Sequence, residues 1–232
     1  MVTHTHVRDQ HHARPYWGSS RTHRTKLLLA CLLGLLLLTL YLTSIAEIPQ
    51  SHKRAPQFAT AATDPHIIIN EVAWGGTAAS PFDEWIELLN LTGQPQSLEG
   101  WTLIADDGNP MIPLWGEIPA YGYFVIERTD DDTISDRPAD LIASFGSGLS
   151  NAGERLNLID PSGNLMDTAN SDGGPWPNAD TGGSPTYQSM ERVDPAALDL
   201  DANWKSNDGS LTCGLDANGD ALNATPGSIN AA

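Results

Sequence analysis

Short apolar and aromatic runs, each closed by glycine, proline or acidic turn residues, recur along the chain from residue 66 onward. His66–Trp74 (HIIINEVAW) and Asp83–Thr92 (DEWIELLNLT) predict two strands joined by a Gly-Gly-Thr-Ala-Ala-Ser-Pro loop. Gly100–Ala105 predicts a third, ended by the turn signal Asp106-Asp107-Gly108-Asn109-Pro110, and Met111–Trp115 a short edge strand whose Pro113 cannot donate to a ladder. Tyr121–Thr129, Ala139–Ser144, Arg155–Asp160 and Leu165–Ala169 continue the series, the last two closed into a hairpin by Pro161-Ser162-Gly163-Asn164. Tyr187–Val193 and a segment near Trp204 complete it. Some eight or nine short strands without helical spacers predict an all-β fold, an antiparallel β-sandwich of immunoglobulin-like type. Alternation along the first strand puts Glu71 on the face of Ile67 and Ile69, which would bury its carboxylate. It should then be met by backbone donors or by Arg192, and its replacement by Gln or Ala should cost a few kcal/mol.

The first 65 residues break this pattern. Residues 1–26 carry five basic groups against one acid and show no apolar periodicity, so they predict a disordered basic tail. Residues 27–46 hold 20 positions without a charge. At about 1.5 Å per residue such a helix matches the ~30 Å hydrocarbon thickness of a bilayer. The basic flank predicts a single-pass signal anchor, N-terminus cytoplasmic and the rest outside. The small-x-small triplet Ser44-Ile45-Ala46 is the competing cue, for a chain secreted after cleavage behind Ala46. Residues 47–65 read as an extended linker before a β-domain at 66–230.

Charge narrows the function classes. From residue 65 on, five bases face 26 acids, a formal charge of −21 within a whole-chain value of −17. Such a field repels phosphate backbones, so no nucleic-acid partner is expected. The β-domain has one histidine, His66, and one cysteine, Cys213, too few for a Ser-His-Asp, Cys-His or zinc constellation. Asp83, Glu84 and Glu87 could supply paired acids, but strand alternation points Asp83 and Glu87 away from Glu84. Calcium is the candidate ligand, because Asp199, Asp201, Asn203 and again Asp216, Asn218, Asp220 place oxygen side chains at alternate positions. Neither run has the glycine and glutamate of an EF-hand loop. Trp176, between Pro175 and Pro177, is the tryptophan expected to offer an exposed contact.

Several local motifs in one order carry a resemblance. Ile69-Asn70-Glu71-Val72 opens the series, followed by Asp83-Glu84-Trp85-Ile86-Glu87-Leu88-Leu89-Asn90 and Leu98-Glu99-Gly100-Trp101-Thr102-Leu103. Leu149-Ser150-Asn151-Ala152-Gly153-Glu154, Asp160-Pro161-Ser162-Gly163, Ser189-Met190-Glu191-Arg192, Asn203-Trp204 and Thr225-Pro226-Gly227-Ser228-Ile229-Asn230 complete it. From about Ile67 to Asn230 the chain resembles the lamin-tail domain, an immunoglobulin-like β-sandwich of nuclear lamins and of bacterial surface and secreted proteins. The resemblance implies an interaction or scaffold module without catalytic apparatus. The basic DNA-binding surface of lamin members is not matched by a domain at −21, and an apolar run in place of a coiled-coil rod is not a lamin filament.

The sequence therefore predicts a membrane-anchored, outward-facing, non-catalytic binding or scaffolding module whose partner is a protein or polysaccharide outside the cell. A calcium-dependent or carbohydrate-binding adhesion module and an accessory domain of an exported hydrolytic system are the alternatives.

Overall fold

Two sheets divide the apolar runs between them. The computed structural model describes residues 66–231. Its strands are β1 (Ile67–Ala73), β2 (Trp85–Asn90), β3 (Gln96–Ser97), β4 (Thr102–Ala105), β5 (Met111–Pro113) and β6 (Glu117–Ile118). They continue as β7 (Tyr123–Arg128), β8 (Leu141–Ala143), β9 (Leu156–Ile159), β10 (Leu165–Ala169), β11 (Met190–Arg192) and β12 (Trp204–Ser206). A six-stranded sheet runs β12-β11-β1-β2-β7-β8 and a four-stranded sheet runs β10-β9-β4-β5, with β3 and β6 forming a small separate ribbon. The predicted tail, apolar run and linker lie outside the described residues, among which no helix is long and apolar enough to cross a membrane.

Every strand expected from the sequence is found, and two are added. The additions, β3 and β6, are two residues each and too short to show a period. One expectation is corrected: β8 joins β7 in parallel, so the sandwich is not wholly antiparallel. The long acidic connection between β7 and β8 makes this possible, since parallel neighbours need a crossover and not a tight turn. Asp140 fixes the entry by donating its amide to Val125 O while its carboxylate accepts from Val125 N.

Facing side chains of the two sheets form the main core. Ile67, Ile69 and Val72 of β1, Ile86 and Leu88 of β2 and Phe124 and Ile126 of β7 meet Leu103, Ile112, Leu156 and Leu158 of the other sheet. A second, smaller cluster lies behind the six-stranded sheet, where Ala73, Trp85 and Val125 are covered by Ile134, Leu222 and Ala224. The six-stranded sheet is thus buried on both faces, which explains why β1 and β2 are buried at every position.

A bulge decides which face Glu71 occupies. Pairing of β1 with β2 shifts between Ile69 and Glu71. The extra residue reverses the alternation. Ile67 and Ile69 stay in the main core, as do Val72 and Trp74 beyond the bulge, while Glu71 turns to the rear face beside Ala73. Glu71 is buried as expected, but beneath the C-terminal segment and not in the main core.

Candidate functional site

Three glutamates stand side by side across the rear face. Glu191 of β11 and Glu87 of β2 are the direct register partners of Glu71 of β1, and none of the three has measurable exposure. Isolated buried carboxylates are prohibitively costly, so each needs donors. The C-terminal segment supplies most of them. Thr225 donates its amide to Glu71 Oε1 at 2.9 Å, Gly227 N donates to Glu87 Oε2 at 2.5 Å, and Ala231 N donates to Glu191 Oε2 at 2.8 Å. Asn70 Nδ2 completes Glu87 and Asn207 Nδ2 completes Glu191.

The Thr225 hydroxyl fixes a protonation state. Its Oγ1 lies 3.1 Å from Glu71 Oε2 and 2.9 Å from Glu191 Oε1. A hydroxyl has one proton to give, so both contacts are hydrogen bonds only when one carboxyl is itself protonated. Burial, followed by the charges of Glu87 and Glu191, holds the Glu71 carboxyl well above the usual range. Glu71 is therefore the neutral member, donating to Thr225 Oγ1, which donates to Glu191. Burial also pushes Glu87 up to about 8 against the pull of its Asn70 and Gly227 donors. Glu127 of β7 is enclosed with no partner at hydrogen-bonding geometry, and burial pushes it to about 7, offset in part by the nearby amides of Ile134 and Thr133. The row can hold protons, but sealed from solvent it cannot meet a substrate.

The pairing expected for Arg192 is corrected. Its Nη2 lies 2.8 Å from Asp167 Oδ2, its Nε donates to Ile69 O, and its guanidinium lies 4.8 Å from the centre of the Trp204 ring. The bulge separates it from Glu71, because β11 sends Glu191 to the rear face and Arg192 toward Asp167 of β10. Burial pushes Asp167 up to about 6, and the Arg192 charge opposes that shift without cancelling it.

The other sequence candidates are dispersed. Asp83 accepts from Thr77 Oγ1, and Glu84 pairs with Arg128 at 3.0 Å, so neither faces Glu87 across a cleft. Asp199 accepts from Thr168 Oγ1 and Trp204 Nε1, while Asn203 bonds back to Asp194 and Leu198. Asp201 opens a single 3-10 turn. Asp216 closes its own turn by accepting the amides of Asn218 and Asp220. Among the described residues no group of three or more His, Cys, Asp or Glu side chains is placed to hold a metal ion. Trp176 is only 2% exposed, which corrects the expected surface contact. It stacks on Trp74 at 6.3 Å and donates its Nε1–H to Ser150 O. The Gly-rich loop lets the backbone approach this pair: a Cβ on Gly182 would lie 2.5 Å from the Trp74 ring.

A cleft open to solvent lies apart from the glutamate row. About 350 Å3 in volume, it lies between β10 and the loop at residues 196–200, walled by Leu165, Met166, Ala196, Ala197, Leu198 and Leu200 with Arg155, Asp167, Thr168 and Asp199. Leu198 and Leu200 are exposed at 78% and 59%. In the sequence Arg155 shows only as the start of a strand. The available signal was scarcity: with five bases against 26 acids, a base without a nearby carboxylate is unusual.

Residues 60–172 match the protein family described as Lamin Tail Domain. No curated protein matches the chain. The matched stretch contains β1 through β10, including both strands that carry Glu71 and Glu87. The two-sheet all-β sandwich agrees with that match: over residues 60–172, just under half of the chain, the protein is similar to the lamin tail domain family.

Proposed function

We propose that the protein is a non-catalytic binding or scaffolding module held at the outer face of a membrane by residues 27–46, with its partner, a protein or polysaccharide, outside the cell. The observation that carries the non-catalytic part is the fate of the clustered acids. Glu71, Glu87 and Glu191 are spent on latching the C-terminal segment and have no path to a ligand. Display outside is supported by the uncharged 20-residue run behind a basic flank, and absence of nucleic acid by the charge of −21. Protease added to intact spheroplasts that express the full chain with a C-terminal tag should remove the tag, and carbonate extraction should leave the chain in the membrane. Protection of the tag until the cells are lysed would overturn display outside.

Calcium is left out of this reading, since Asp199, Asn203 and Asp216 each accept hydrogen bonds from neighbouring groups of the chain. The thermal midpoint should be unchanged between millimolar calcium and chelator. A ligand of the folded state raises stability as RT ln(1 + [L]/Kd), so a rise with calcium would reinstate the adhesion alternative.

A further inference from the structure

We infer that the cleft between β10 and the loop at residues 196–200 binds a small amphipathic monocarboxylate, its apolar body against Leu165, Met166, Leu198 and Leu200 and its carboxylate on Arg155. The argument starts from which polar side chains of the wall are still free. Asp167 is taken by Arg192 and by the Ile69 amide. Thr168 Oγ1 donates to Asp199, whose other oxygen accepts from Trp204. Arg155 alone is unspent: no carboxylate lies within 4 Å of it, and its buried Nε–H has no acceptor. The other three arginines among the described residues each hold a carboxylate. In a domain with 26 acids this is a vacancy for an anion, because a guanidinium fork fits a carboxylate with two parallel hydrogen bonds.

The rest of the wall sets the class of ligand. A volume of about 350 Å3 is at the small end of ligand clefts, which begin near ~300 Å3. Two leucines as exposed as Leu198 and Leu200 lose apolar surface to water only when something covers them. Asp167 is paired with Arg192, but the Asp199 carboxylate is met only by the neutral donors Thr168 and Trp204, with no cation to offset a charge on it. A second carboxylate on the ligand would meet that charge, so one is favoured over two. Arg155 also borders a smaller depression walled by Asp106, Asp107 and Glu154, which repels anions and leaves the apolar cleft as the place where a carboxylate gains.

The inference rests on the reading of the domain as a binding module, yet it fails separately from display at the membrane, which has its own protease test. Octanoate, octanol, acetate and the dicarboxylate suberate are titrated calorimetrically into the full chain in lipid nanodiscs, with the R155A chain in identical nanodiscs as background for partitioning into lipid. Octanoate should bind the wild type above that background, with octanol, acetate and suberate each at least about tenfold weaker. R155A should weaken octanoate by about tenfold or more while melting like the wild type without ligand, since Arg155 holds nothing in the free protein. Equal heats for the wild type and R155A would overturn the site, as would octanol matching octanoate. Should R155A fail to fold, Leu198→Ser is read in its place: it changes a side chain 78% exposed and should weaken octanoate, and unchanged affinity there sinks the proposal.

Discussion

The two faces of the six-stranded sheet are both buried, by opposite means. The inner face meets the four-stranded sheet through Ile, Leu, Val and Phe, where any good fit of shape removes apolar surface from water. The rear face carries the row Glu191–Glu71–Glu87, and every acceptor in it must find its own donor. Those donors arrive from far along the chain: Thr225 is 154 residues from Glu71, and Gly227 is 140 from Glu87. The acids Glu71 and Glu87 lie within the stretch that matches the family, while Thr225, Gly227 and Ala231 lie beyond it. A nonspecific surface closes the front of this sheet, and a specific peptide closes its back. Substitutions that remove one partner at a time distinguish the two.

The largest effect is expected where a full charge is buried. Arg192→Ala strands Asp167, leaves the carbonyls of Ile69 and Thr168 without their donor, and takes the guanidinium off Trp204. Removing one partner of a buried pair costs about 3–5 kcal/mol, and chemical denaturation of the domain should read a loss of that order. A loss below about 1 kcal/mol would mean that water reaches the pair. Thr225→Val keeps shape and amide but removes the hydroxyl between two carboxyls, and should cost about 1–3 kcal/mol. Its effect should be confined to the back of the sheet: hydrogen exchange should quicken for the Gly227 and Ala231 amides while β4 and β9 of the second sheet keep their protection. Uniform loosening would show that the rear latch and the front core unfold as one unit.

The contrast between the faces also explains what was legible in the sequence. Front-face strands announce themselves by alternation and turn residues, so the sandwich and almost every strand were readable from apolar runs alone. The position of Glu71 was not, because a single extra residue between Ile69 and Glu71 moves everything after it to the other face and leaves no compositional trace. Arg192 was assigned to the wrong acid for the same reason. Trp176 was misplaced by a different physics: flanking prolines and glycines signal a loop, but a loop that packs its indole on Trp74 and bonds it to Ser150 is interior. Arg155 could not stand out at all, since the absence of a partner is a property of three-dimensional surroundings.

The smallest substitution effect should come from Glu71→Gln, and its value lies in its pH dependence. Sequence reasoning expected Gln and Ala alike to cost a few kcal/mol; the shared Thr225 proton separates them. A glutamine amide can accept from Thr225 N and donate to Thr225 Oγ1, as the neutral acid does, so near pH 5 the variant should lie within about 1 kcal/mol of wild type. For the wild type, carboxyls raised on folding bind more protons folded than unfolded. The stability they contribute is complete below the unfolded values, near ~4, and is lost as pH rises through the folded ones. Those are about 6 for Asp167, about 7 for Glu84, Glu127 and Glu154, and about 8 for Glu87. The midpoint of thermal unfolding should therefore fall steadily between pH 5 and pH 9. Glu71, held well above the usual range by burial and then by Glu87 and Glu191, adds its share as pH rises through its own raised value; Tyr123, Cys213, Arg137 and Asp140 are the other charged or ionisable groups that share the field of this carboxylate row. Glu71→Gln removes that share, so its curve should converge on or cross above the wild type as pH rises. An offset of the same size at pH 5 and pH 9 would overturn the assignment of Glu71 as the neutral member.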